Sequence, residues 1–144
     1  MTLLHDLKIL DFSTLLPGTY ASMMLADLGA DVLRVESPTR HDLIRQFPPM
    51  DGEQSTSHSY LNRSKRSIAL DLKKQEAVEI VKRLVKEYDI IIEQFRPGVM
   101  DRLGVGYEAL KKINPRIIYC SITGFGQSGP YKDRPGHDNN YLSL

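Results

Sequence analysis

The sequence is most selective in what it withholds. It has a single cysteine, Cys120, which excludes an intramolecular disulfide framework and fits a reducing compartment. Neither sign of charge dominates: 19 Lys and Arg against 18 Asp and Glu leave a net charge of +1. That balance argues against nucleic acid as a partner, because such modules carry a marked basic excess. No apolar run approaches the roughly 20 residues that span a bilayer. The N-terminus, MTLLHDLKILDFS, carries His5, Asp6, Lys8 and Asp11 and so lacks the apolar stretch of a signal peptide. The expectation is a cytoplasmic protein without a membrane partner, or a peroxisomal or mitochondrial one in a eukaryote. Glycine is scarce where a dinucleotide site needs it. The first strand-to-helix turn, STLLPGTYASM, has one glycine in place of G-x-G-x-x-G, so Glu36 alone does not make a ribose-binding site and NAD is not expected.

What is present is ordinary in bulk. Apolar residues make up 41% and charged residues 26% of 144 positions, enough for one domain with a real core. Strand-like and helix-like segments alternate. Leu7 to Ser13 alternates apolar and polar residues. Thr19 is the expected N-cap of a helix with Ala21, Met24, Leu25 and Leu28 at helical spacing, ended by Gly29. Asp31 to Glu36 is a second strand, and Ser37 to Arg66 reads as a long polar loop. RSIALDLK is strand-like. The segment from Gln75 to Tyr88 is the clearest helix, with Val78, Val81, Leu84 and Val85 on one stripe. Asp89 to Gln94 is a continuously apolar strand of the kind buried on both faces. Pro97 opens a short helix at its N1 position, YEALKK forms another, and Arg116 to Ile122 is the last strand, with Cys120 expected to be buried in it as a small hydrophobe. Repeated in this way, the pattern predicts an α/β fold with a Rossmann-like parallel sheet flanked by helices.

The closing segment, RPGHDNNYLSL, offers the clearest chemistry. His137 follows a strand and a turn-rich loop, QSGPYKDRP, so it is delivered near a strand's C-terminal end. An imidazole there suits proton transfer, since both of its protonation states are accessible near neutrality. Open α/β sheets bind ligands at that edge.

Several segments together resemble CoA-transferase family III, the group that also contains the α-methylacyl-CoA racemases. They are LKILDFSTLLPGTYASMMLADLGADVLRVESP, NRSKRSIALDLK, DIIIEQFRPGVMDRLGVGYEAL, NPRIIYCSITGFGQSGPY and GHDNNY. The resemblance leaves out only the stretch from Arg40 to Tyr60. It implies an enzyme acting on acyl-CoA thioesters with no prosthetic group, built as an interlocked homodimer. It also implies that residues 1–144 are the N-terminal part of the CoA-binding large domain, a piece inactive alone. Transferases of the family have an aromatic residue in the place of His137, whereas racemases carry GHDxNY. Gly136, His137, Asp138, Asn140 and Tyr141 match the racemase form.

That match implies a 2-methylacyl-CoA racemase in which His137 takes or returns the α-proton and a second acid lies beyond Leu144. The alternative is a CoA-transferase working through an aspartyl anhydride. By the same resemblance Leu72, Lys73, Gln94, Phe95, Arg96, Arg102 and Leu103 line the CoA slot. Gly136, Asp138 and Tyr141 belong to the same site, and Arg34, Lys65 and Arg66 are candidate phosphate contacts. Many racemases have an arginine where this chain has Ser37, so a phosphate contact there requires that Arg34 or Arg40 substitute for it.

Overall fold

The structure, a computed structural model, describes residues 2–143, without the side chains of Asp138 and Tyr141. Five parallel strands form its centre: β1 (Lys8–Asp11), β2 (Asp31–Glu36), β5 (Arg66–Ala69), β6 (Ile90–Glu93) and β7 (Ile118–Ser121). Their spatial order is β5-β2-β1-β6-β7. The expected α/β architecture is the observed one, and each strand lies within the segment read as a strand.

The apolar runs explain the layering. Side chains alternate across a strand, so neighbouring residues enter opposite layers. Leu10, Leu33 and Ile91 face a large core shared with helix α3 (Gln75–Leu84), helix α4 (Val99–Arg102) and helix α5 (Tyr107–Lys111). Ile9, Val32 and Ile92 face Ala26 and Ala30 at the end of helix α1 (Pro17–Asp27). Ile9, Leu10, Ile91 and Val81 have no solvent exposure, and each fully buried aliphatic side chain of this kind stabilises the fold by roughly 1.5–3 kcal/mol. The expected stripe of α3 is the buried one: Val78, Val81 and Val85 are buried and Leu84 packs at the margin.

Helix α1 departs from expectation. It starts at Pro17, the N1 position, with Leu16 as the flanking residue, so Thr19 is inside the helix and not its cap. Its buried face is Gly18, Thr19, Ser22, Met23 and Ala26, while Met24 and Leu28 lie on the outer face. Gly29, at φ +105°, does end the helix as expected. Helix α4 likewise begins at Val99, after Gly98 in the left-handed region, and not at Pro97.

The segment read as a polar loop is structured. It contains a 3-10 turn (Leu43–Gln46), a two-stranded hairpin of β3 (Met50–Asp51) and β4 (Gln54–Ser55), and helix α2 (Thr56–Leu61) capped by Ser55. Ile44 and Leu61 join Met23 of α1 in a small third core. Cys120 is exposed, not buried, because β7 is an edge strand whose residues 118 and 120 point away from the packed face. No helix among the described residues is long and apolar enough to cross a membrane.

Candidate functional site

The strand order reverses at β1. The chain runs from β1 outward to β2 and β5, then returns to β6 on the other side of β1. Such a switch point splays the loops that follow the two strands and opens a crevice at their C-terminal ends. Here the two segments at the switch point are the β1–α1 loop, 12–16, and the stretch after β6 that begins with Gln94.

The floor under the β1–α1 loop is polar. Asp11, wholly buried, accepts the Ser13 N–H at 2.8 Å and the hydroxyls of Ser13 and Ser22. Lys65 reaches the same place, donating to the Thr19 carbonyl at 2.9 Å and to Ser22 Oγ at 2.7 Å, with Asp11 Oδ2 at 3.4 Å. Burial pushes the Lys65 ammonium below the usual lysine range, against the opposing pull of Asp11. The loop above is tightly held. Leu15 sits at φ +56°, a left-handed conformation that costs a non-glycine residue about 1–2 kcal/mol. Both oxygens of Asp42 accept its N–H, at 3.1 and 3.2 Å. A Cβ on Gly18 would lie 2.5 Å from Ser13 Cβ, so only glycine fits at that approach.

Across the crevice, the Gln94 carboxamide contacts Gly18 and Thr14 of the β1–α1 side. Glu93, the last residue of β6, is buried and accepts the Phe95 N–H at 2.8 Å. Desolvation pushes its carboxyl above the usual range; its hydrogen bonds to Ser121 and Phe95 oppose that and Asp101 adds to it. Sequence reading passed over Asp11, Asp42 and Glu93. The signal for two of them is an acid at the last position of an apolar strand, as in KILD and IIIE.

The remaining candidates divide by location. Phe95 and Leu103 are half-buried against the main core, as is Leu72, and Lys73, Arg96 and Arg102 are exposed. Leu72 and Lys73 follow β5 and Phe95 and Arg96 follow β6, so all four lie at the C-terminal edge. Near that edge an open hollow of about 430 Å³ is lined by Glu36, Ser37, His41, Arg45 and Ala69. Arg34 does not face it freely. Its side chain is sealed from solvent, donates to Asp42 and lies 3.1 Å from His58 Nε2. Arg34 is thus committed to protein partners inside the fold. Lys65 is committed to Asp11, as described. Arg66 opens β5 and pairs with Asp31, the first residue of β2, so it lies at the opposite edge of the sheet.

His137 is exposed and flanks the N-terminus of helix α6 (Asp138–Leu142); its N–H donates to Asn140 Oδ1 at 3.0 Å and its carbonyl accepts the Asn140 N–H at 2.8 Å. Gly136 before it is half-buried. The candidates Asp138 and Tyr141 lie outside the described side chains.

The model of CoA-transferase family III matches residues 4–144. The chain belongs to that family. Among its family III relatives, the human succinyl-CoA:glutarate CoA-transferase is 45% identical over 136 residues, covering 94% of this chain and 31% of that protein. Human alpha-methylacyl-CoA racemase is 42% identical over 142 residues, covering 98% and 33%. A CaiB/BaiF family protein from Brucella suis superimposes with a TM-score of 0.91 at 44% identity, over 99% of this chain and 39% of that one. The chain thus spans about a third of the length of the curated relatives it matches. Family III holds both CoA-transferases and racemases, and both kinds of relative match here.

Proposed function

We propose that the protein works on acyl-CoA thioesters and racemises the α-carbon of a 2-methylacyl-CoA. The observation that carries this reading is the residue at the turn into α6: an exposed histidine, His137, within Gly136-His137-Asp138 and followed by Asn140 and Tyr141. An aromatic residue in that place has no proton to exchange near neutrality; an imidazole does.

In this reading neutral His137 removes the α-proton on one face of the substrate. The electrons of the broken C–H bond form the thioester enolate, and the developing negative charge calls for donors such as backbone N–H groups. Return of a proton on the opposite face by a second acid completes inversion, and return from His137 restores the starting enantiomer. Apolar surface at Leu72, Phe95 and Leu103, with cations at Lys73, Arg96 and Arg102, supports a slot for the nucleotide and pantetheine parts of CoA. An interlocked homodimer belongs to the same proposal.

The slightly higher identity to the succinyl-CoA:glutarate CoA-transferase, 45% against 42%, favours the alternative of CoA transfer between carboxylic acids. One pair of assays separates them. A racemase exchanges the α-proton of a 2-methylacyl-CoA with deuterated water and needs no acceptor acid. A transferase leaves that proton in place and moves CoA from succinyl-CoA to a free dicarboxylate. Transfer without exchange sinks the racemase reading.

A further inference from the structure

Glu93 closes β6 as the one acid of an otherwise apolar strand, IIIE. Side chains alternate along a strand, so Glu93 shares the face of Ile91, toward the large core. It is 4% exposed. An apolar residue would fill that position at less cost to the fold, since desolvation pushes the Glu93 carboxyl above the usual carboxylate range and Asp101 of α4 adds to the rise. What an apolar residue lacks is an acceptor. Glu93 Oε2 accepts the Phe95 N–H at 2.8 Å, and the carboxyl is hydrogen-bonded to Ser121, its register partner at the end of β7. The Phe95 amide opens the turn after β6. Further along that turn the Arg96 carbonyl accepts the Val99 N–H at 3.1 Å, and Gly98, at φ +76°, lets the chain enter α4. The direction in which Phe95 leaves the strand thus bears on Arg96 and, through α4, on Arg102 and Leu103.

We infer that Glu93 is a positioning residue: it holds the Phe95 N–H from inside the fold and so fixes the turn 94–98 in the shape that sets Phe95 and Arg96 for CoA. The inference about CoA rests on the function proposed above; the inference about the turn does not. Sealed beneath the turn, the carboxyl acts through the Phe95 backbone. Its second partner, Ser121, anchors it to β7, so the turn is braced against the sheet and not only against its own strand.

The test is residue-resolved amide hydrogen exchange, paired with calorimetric titration of CoA, on the wild-type protein and on Glu93→Met and Glu93→Gln. Methionine keeps the bulk without an oxygen acceptor; glutamine keeps an acceptor without the charge. Exchange at Phe95 is read relative to Ile91, whose amide reports the sheet core. Loss of one hydrogen bond changes local protection by up to about tenfold. In Glu93→Met the Phe95 amide is expected to exchange about tenfold faster relative to Ile91, and CoA to bind roughly two- to tenfold more weakly. In Glu93→Gln the wild-type protection and affinity are expected to be retained, a rescue that a residue serving stability alone does not produce. Unchanged relative exchange at Phe95 in Glu93→Met overturns the proposal, as does unchanged CoA affinity beside faster exchange. Loss of Phe95 protection or of CoA affinity in Glu93→Gln also overturns it, and that arm stands even if Glu93→Met does not fold. Should the wild-type protein itself bind no CoA, the functional reading fails, and the Phe95 exchange rates alone decide whether Glu93 holds the turn.

Discussion

Lys65 and Asp11, 54 positions apart in the chain, meet beneath helix α1 with Nζ 3.4 Å from Oδ2 and both side chains sealed from solvent. The pair ties the end of the segment 37–65 to the first strand. Removing one partner leaves the other charge buried, which typically costs about 3–5 kcal/mol. Lys65→Met is therefore expected to lower the unfolding free energy by an amount in that range, read in urea as a lower midpoint with the m-value unchanged. A shift below about 1 kcal/mol would mean that water reaches the pair.

His58 gives the fold an acid-side weakness. Arg34 can only donate, so the His58 Nε2 it meets at 3.1 Å is an acceptor and the imidazole is neutral. Burial, then Arg45, then Arg34 depress its pKa below 6.5, with Glu36 and Asp42 opposing. A base with a depressed folded pKa binds fewer protons folded than unfolded, so stability rises with pH across that window. The contribution is complete above pH 6.5 and declines as pH falls toward the folded pKa. Urea midpoints between pH 7.5 and 5 are expected to fall less steeply in His58→Gln than in the wild type; parallel slopes would refute this.

Glu93 behaves in the opposite sense. Its raised pKa means that the folded state holds the proton more tightly than the unfolded chain, so ionisation at neutral pH weakens the fold. Glu93→Gln is expected to raise the melting temperature at pH 7.5, with the gain vanishing below pH 4.5, where the wild-type carboxyl is protonated in both states. A loss of stability at pH 7.5 would show that the charge is favoured there.

At Gly18 the space for a side chain is already filled. A methyl group there meets Ser13 Cβ at 2.5 Å and Gln94 Oε1 at 3.0 Å. Gly18→Ala is expected to destabilise by about 1–3 kcal/mol, the usual cost of overpacking, although alanine is the better helix former. Thermal melting checks the sign.

His137→Ala is the chemical test. The residue is exposed, so its loss is expected to leave stability within about 0.5 kcal/mol. Deuterium exchange into one enantiomer of a 2-methylacyl-CoA is expected to fall by about 100-fold or more, the usual weight of a positioned acid or base. Undiminished exchange from both enantiomers would assign the chemistry to another residue.

The sheet was legible because parallel strands buried on both faces write themselves as apolar runs: LKIL, DVLRV and IIIE all became strands. The inward face of α1 was not. It carries Thr19 and Ser22, whose polarity disguises their burial until Ser13 is seen beside the Thr19 hydroxyl and Asp11 and Lys65 beside that of Ser22. The burial of Arg34 was hidden for the same reason, since its sealed partner Asp42 is 8 residues away and sequence spacing does not reveal burial. The segment 37–65 escaped because a helix as short as TSHSYL and a hairpin of two-residue strands carry no periodicity. His137 was found from its motif; Asp42, which no pattern marks, emerged only from the packing.

The polar seating of α1 has a mechanical consequence. Oily contacts tolerate sliding, because one methyl group serves nearly as well as the next, whereas hydrogen bonds are directional and fail when a partner moves by a fraction of an ångström. A helix fastened at Thr19 and Ser22 to a buried ion pair has one rotation and one height above the sheet. The loop that leads into it inherits that register and keeps one contour.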